Sequence, residues 1–205
     1  MFYRDNKALP IIRKIKKYVD DHKMCYLKDI VSEYMPFGLR SFERGSSQKG
    51  ELKLHHSKGH GYISRSEVTV GAEYIDTYNV MFGKAISGHL GEYDSKGQVK
   101  VLATLKQIGP KEITTESYLV AGKFETKQEA ANLEKYFKTK FLRFLLLQSL
   151  ASMNITNDRF DLVPLEDFKE NSLIDWSKEI RVIDIALCQK YDVDFTYIDK
   201  CISDF

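Results

Sequence analysis

The sequence predicts an α+β fold: a curved mixed or antiparallel sheet with one long central helix and flanking N- and C-terminal helices. Three observations lead there. Apolar residues recur at helical spacing near both ends and in the middle of the chain. Short β-rich runs separated by Gly and Pro fill the stretch between. A hydrophobic content of 43% over 205 residues supplies a core for one large domain or a domain with an appendage.

The elements follow in order. Residues 7–34 read as two short helices, with Pro10 suited to a first helical turn and Ile11, Ile12, Ile15 and Val19 forming the apolar stripe of the first. Leu27, Ile30 and Val31 repeat the pattern, and Pro36-Phe37-Gly38 ends it. Residues 38–66 change character. Arg40, Arg44, Lys49, Lys53, Lys58 and Arg65 stand with His55, His56 and His60 among Gly and Ser, with Leu39, Phe42, Leu52, Leu54, Tyr62 and Ile63 as apolar anchors. A pair of short strands with loops fits that mixture, and such loops are where recognition residues usually lie. Val68–Val70, Tyr78–Phe82 and Val99–Leu102 then read as strands, punctuated by Gly83, Gly88, Gly91 and Gly97, with Gly109-Pro110 as a turn. Two helices close the chain, one beginning near Trp176 with Ile180, Ile183, Ile185 and Leu187, the other over Phe195–Ile202.

The most informative stretch is Glu116–Phe168. Ser117-Tyr118-Leu119-Val120-Ala121 has the composition of a buried strand, and Gly122-Lys123-Phe124-Glu125 reads as a turn. Thr126 with Glu129 forms a capping-box signature for the helix that follows. In that helix Phe137, Phe141 and Phe144 fall on one side, while Lys135, Lys140 and Arg143 fall near the other. The aromatics, with Trp176, read as core. Phe160–Pro164 reads as a further strand.

The ordered motifs ESYLVAGKF, YFKTKFLRFLL, RFDLVPLEDF and IDWSKEI resemble the C-terminal part of type IIG-like bacterial restriction–modification proteins. In that family a target recognition domain follows an adenine-specific methyltransferase domain. The resemblance covers the chain from about Thr77 onward and implies a domain that reads a short target in double-stranded DNA. It divides the chain into an N-terminal helical segment (1–35), a DNA target recognition domain (36–168) and an acidic C-terminal helical segment (169–205). It also implies a partner, the adenine-specific methyltransferase domain or subunit. S-adenosylmethionine and magnesium are expected only for the associated catalytic domains, with no cofactor in this chain.

Catalytic signatures are missing from the sequence. Adenine methylation in this family uses an (Asp/Asn)-Pro-Pro-(Tyr/Phe) motif to hold the flipped base, yet Pro10, Pro36, Pro110 and Pro164 are all isolated. The expectation is therefore a fragment or a separately encoded domain. A rival reading is a small magnesium-dependent endonuclease built on Glu51-Leu52-Lys53 with Asp29. Acid-x-Lys triplets also occur at Asp5, Asp21, Asp94, Glu125 and Asp167, so the match discriminates little. The spacing of His55, His56 and His60 fits no familiar metal-ligand set, which leaves solvated loop histidines as the reading. Cys25, Cys188 and Cys201 are too few and too scattered for a disulfide framework or a zinc site, and no apolar signal core opens the chain. A cytoplasmic protein without a membrane span is expected.

The net charge of +2 conceals an asymmetry. Residues 1–157 hold 25 Lys/Arg against 17 Asp/Glu, an excess of +8; residues 158–205 hold 6 against 12, a deficit of −6. A basic body suits phosphates, and an acidic tail suits either a protein neighbour or plain solubility. The candidate DNA contacts are Arg40, Arg44, Lys49, Lys53, His55, His56 and Lys58 in the small-residue loop, Lys84 at a strand end, and Lys135, Lys140 and Arg143 on the helix. The loop residues are candidates for base edges, with His55 and His56 as neutral readers; the helical cations would hold phosphates and set orientation. The second rival is a protein-interaction module in which the acidic helices dock a methyltransferase subunit.

Overall fold

The computed structural model describes residues 5–84, 93–102, 104–150 and 154–205. The fold is α+β, as the sequence predicts, but the strands form two small sheets in place of one. In chain order the elements are α1 (Leu9–Asp21), β1 (Leu52–His56), β2 (Gly59–Ile63), α2 (Ala72–Ile75), β3 (Tyr78–Gly83), β4 (Leu105–Ile108), β5 (Glu112–Thr114), β6 (Tyr118–Phe124), α3 (Lys127–Lys138), α4 (Lys140–Ser149), α5 (Ile180–Lys190) and α6 (Phe195–Cys201). Short 3-10 turns stand at Asn6–Ala8, Leu27–Ile30, Arg65–Glu67 and Asn157–Phe160. No helix among the described residues is long and apolar enough to cross a membrane.

The first sheet has the order β2-β1-β5, with β1 antiparallel to β2 and parallel to β5. The second, β4-β3-β6, is antiparallel throughout. Only Thr115–Ser117 separate β5 from β6, so the chain steps directly from one sheet to the other. The second sheet divides two cores. Val80, Phe82, Leu119 and Ala121 face the helices, while Met81, Ile108 and Val120 pack with Leu52, Leu54, Ile63 and Ile113 of the first sheet and with Phe37. Being covered on both faces explains why β3 and β6 read as continuous apolar runs without alternation. The helical core includes Ile12 and Ile15 of α1, Leu187 of α5 and Ile198 of α6, so both ends of the chain close the same layer.

The predicted central helix is two helices, α3 and α4, broken at Thr139. Thr139 is extended (φ −64°, ψ 146°) and serves both ends. Its Oγ1 donates to the Tyr136 carbonyl (2.6 Å) and accepts from the Leu142 N–H (3.2 Å). Asp184 of α5 completes the second start: its carboxylate accepts from the N–H groups of Lys140 (3.1 Å) and Phe141 (2.8 Å). These four bonds satisfy backbone groups that a break would otherwise orphan. Phe137, Phe141, Phe144 and Trp176 are core, as expected.

Several strands also differ from expectation. Val68–Val70 follows the Arg65–Glu67 turn and leads to α2 through Gly71, whose φ of +73° and close approach to the Pro36 carbonyl (2.0 Å from an added Cβ) demand glycine. Val99, Val101 and Leu102 are buried but, among the described residues, the segment bridges singly, through Val99, to Tyr93 and Ile202; the ladder strand lies beyond it, at β4. Phe160 ends the Asn157–Phe160 3-10 turn, and the chain from there to Pro164 is no strand but a turn closing in one bridge from Pro164 to Tyr26. The Gly122–Glu125 turn is instead a bulge within β6. There Gly122 and Lys123 take positive φ and Asn79 Oδ1 accepts from the Lys123 N–H at 2.8 Å. Gly88 and Gly91 lie outside the described residues.

Candidate nucleic-acid interface

One open cleft, of about 370 Å³, gathers part of the predicted recognition set. Its walls include Ser41, Ser57, Lys84, Glu116 and Tyr118. Five pieces of chain separated in sequence meet there: the turn after Leu39, the β1–β2 hairpin tip, the end of β3, Thr104 just before β4 and the β5–β6 step. Arg40 flanks Ser41, Lys58 flanks Ser57, and Lys84 lines the cleft itself. Arg44 folds back toward the same turn, its Nη1 donating to the carbonyls of Ser41 and of Glu43 (3.0 Å to the latter).

Glu116 is the organiser. Its Oε1 accepts from the Ser41 N–H (3.0 Å), and its Oε2 accepts from the Tyr34 hydroxyl and lies 3.5 Å from Arg40 Nη1. The Tyr34 hydroxyl, then the Ser41 N–H, hold its carboxyl well below the usual carboxylate range, at about 2. The Tyr34 ring in turn carries the Lys84 ammonium, 4.1 Å from its centroid. Its Glu116 bond raises the Tyr34 phenol above its ordinary value. The anion therefore ties two loops to a strand end while Arg40 and Lys84 keep their charge near solvent.

The segment Arg40–Glu43 is a tight turn, closed by the Glu43 N–H to the Arg40 carbonyl (3.1 Å) and by Glu43 Oε1 on the Arg40 N–H (2.9 Å). At its tip Phe42 is 74% exposed. It is no anchor, in contrast to Leu39, which is buried in the smaller core.

The remaining sequence candidates go elsewhere. Lys49 is exposed on the loop entering β1, at the end of that strand opposite Lys58. Neither Lys49 nor Lys58 has an ion-pair partner among the described residues. His55 and His56 are buried, a correction to their reading as loop histidines that meet bases. His55 Nε2 lies 3.2 Å from Glu112 Oε1, and His56 Nδ1 accepts from the Lys58 N–H at 3.2 Å. Burial lowers the basicity of His56. Lys53 Nζ stands 3.3 Å from the same Glu112 oxygen. Glu112 is held near 2 by His55 first, and also by the Gly109 N–H and Lys53.

Lys140 and Arg143 require the larger correction, because both are buried, and half-buried Lys135 is turned to backbone carbonyls. Lys135 Nζ donates to the carbonyls of Trp176 (2.7 Å) and Lys178 (3.3 Å). Lys140 Nζ pairs with Asp199 (2.7 Å) and Asp204 (3.0 Å). Arg143 is 1% exposed and donates to the carbonyls of Thr139 (3.2 Å), Lys138 (3.1 Å) and Ser203 (2.8 Å). Burial pulls its guanidinium down to about 10 and pushes nearby Asp184 up to about 6, against the two N–H groups that Asp184 accepts. Part of the acidic tail is thus folded onto the basic helix, and a share of the charge asymmetry is neutralised within the molecule.

Sequence reasoning missed Tyr34 and Glu116, which lie 82 residues apart and meet only through the sheet-to-sheet step. A lone phenylalanine between two arginines was the available signal for Phe42. No protein-family model matches the chain, and no curated protein matches it either.

Proposed function

We propose that this chain is the target recognition domain of a restriction–modification system. It binds double-stranded DNA and directs an adenine-specific methyltransferase, with any associated endonuclease, to a short site. The observation that carries this reading is one open cleft lined by Lys84, with Arg40 and Arg44 reaching its lining residues Glu116 and Ser41 and Lys58 next in sequence to its Ser57, on turns braced by Glu116. Cations on rigid turns provide phosphate contacts, and the hydroxyls of Ser41, Ser57 and Ser117 can donate or accept at base edges. The motif order from Glu116 to Ile180 supports the same assignment by resemblance.

The nuclease alternative draws no support from the donor set. Glu51 Oε2 accepts from the Ser64 hydroxyl and the Arg65 N–H, and both Glu112 oxygens are engaged. Asp29 belongs to a turn packed on β6 and on the Asn157–Phe160 turn, away from β1. No group of three metal-binding side chains occurs among the described residues. On this proposal, S-adenosylmethionine and magnesium are assigned to the methyltransferase and nuclease partners. Exposed Val182 and Ile185, one turn apart on α5, favour that helix as the face that docks the methyltransferase.

Selection of bound sequences from random duplexes tests the proposal. A short enriched motif is expected, with Arg44→Ala relaxing the preference at one position and Lys58→Ala weakening all duplexes alike. Failure to enrich any sequence, with the chain folded, overturns target recognition.

A further inference from the structure

Phe42 is an exposed aromatic on a turn that is unusually well braced. Glu116 holds the Ser41 N–H, the Glu43 carboxylate holds the Arg40 N–H, and the Arg44 guanidinium holds the carbonyls on either side of Phe42. Leu39, buried at the base, accepts at its carbonyl from the Glu116 N–H (2.9 Å). The ring itself joins neither core and stacks on no other ring among the described residues. Five hydrogen bonds therefore fix the backbone under a side chain that the fold leaves in water. Such an arrangement serves a partner, since a rigid turn loses little further freedom when the ring is buried.

The surroundings identify the partner. Arg40 and Arg44 flank the ring in sequence, Lys84 lines the adjoining cleft and Lys58 follows its Ser57, while the carboxylates of Glu43 and Glu116 are each turned to a backbone N–H of the turn. An apolar wedge between two arginines, beside a cleft lined by a lysine, matches a base step between two phosphate strands. There the cations meet the backbone while the ring replaces lost base stacking. A protein partner with an apolar pocket would need an acidic rim to meet the same arginines and lysine.

We infer that Phe42 inserts into the base stack of the bound duplex and opens one step next to the target. This rests on the DNA-binding reading above and adds to it a deformation of the DNA. It also gives the recognition domain a share in base extrusion, since an adenine methyltransferase must withdraw its base from the helix.

The test uses the full chain with a duplex recovered by selection, carrying 2-aminopurine at successive positions. Binding should raise fluorescence at one step. Phe42→Ala should abolish that rise while lowering affinity only about tenfold, and Phe42→Leu should restore part of it. The urea midpoint of Phe42→Ala should equal that of the wild type, because the ring makes no core contact. Binding without any fluorescence rise, or a rise that survives Phe42→Ala, overturns the wedge and leaves DNA recognition standing. A folded chain that binds no duplex overturns both. Loss of methyltransferase co-purification in Phe42→Ala, with the fluorescence rise intact, reassigns the ring to a protein contact and also overturns the wedge.

Discussion

Replacing Arg143 separates a structural cation from a DNA-binding one. The side chain is 1% exposed and gives hydrogen bonds to three carbonyls, those of Lys138 and Thr139 at the α3–α4 break and of Ser203 in the tail. Arg143→Ala removes all three bonds, opens a cavity and strips Asp184 of a neighbouring positive charge. Each buried acceptor left unpaired costs ~1–3 kcal/mol, and removing one member of a buried charge constellation costs ~3–5 kcal/mol. These overlap, so a loss of about 4 kcal/mol is the expected total. For a chain of this size that lowers the melting temperature by roughly 10 °C. Arg143→Met, which keeps most of the volume, should recover only the packing part. Urea denaturation followed by circular dichroism gives the midpoints, and duplex affinity is measured on the folded fraction. Lys58→Ala is the control, expected within ~0.5 kcal/mol of wild-type stability because Lys58 is exposed. An Arg143→Ala protein with a wild-type midpoint and uniformly weakened duplex binding would refute this assignment and restore the helix as a phosphate contact.

Two further outcomes follow from the same contacts. Asp184 is pushed from 3.8 to about 6 by burial, so the native state keeps a proton that the unfolded chain has released. Its contribution is complete below the lower value and is lost as pH rises through about 6, amounting to ~3 kcal/mol. The wild type should therefore lose that much stability between pH 3 and 7 relative to Asp184→Asn; parallel profiles for the two proteins would contradict the argument. Gly61→Ala should displace the recognition turn, because an added Cβ would stand 1.9 Å from the Arg44 carbonyl, beside the Ser46–Tyr62 bridge. Overpacking of this kind costs ~1–3 kcal/mol, and duplex affinity should fall with stability; unchanged values of both would show that the turn moves freely.

Local patterns in the sequence were dependable guides where one element satisfies itself. The α1 stripe, the β1–β2 hairpin, the Thr126 helix start and α6 all depend on neighbours in the chain. The α3–α4 break was not legible, because Thr139 is tolerable inside a helix and Asp184, which completes the second cap, lies 44 residues from Lys140. The same distance problem hid the fate of Lys140 and Arg143: a helical wheel gives them a polar face, but only α5, α6 and the tail reveal that this face is covered. In the candidate site the cations of the 40–58 loop were visible as composition. Burial of His55 depended on β5, and the clamp by Glu116 depended on a step between sheets that periodicity does not encode. Phe42 was misread because apolar residues in a polar loop usually anchor it, whereas Leu39, three residues earlier, already does so.

Duplex affinity as a function of salt is the most direct measurement of the central claim. With contacts from Arg40, Arg44, Lys58 and Lys84, log affinity should fall against log salt with a slope of about −3.5, a loss of roughly a hundred-fold between about 50 and 200 mM. Lys58→Ala should reduce the slope by about one and Lys140→Ala should leave it unchanged. A salt-independent affinity, or a slope that Lys140→Ala reduces and Lys58→Ala does not, would contradict a duplex seated at the cleft.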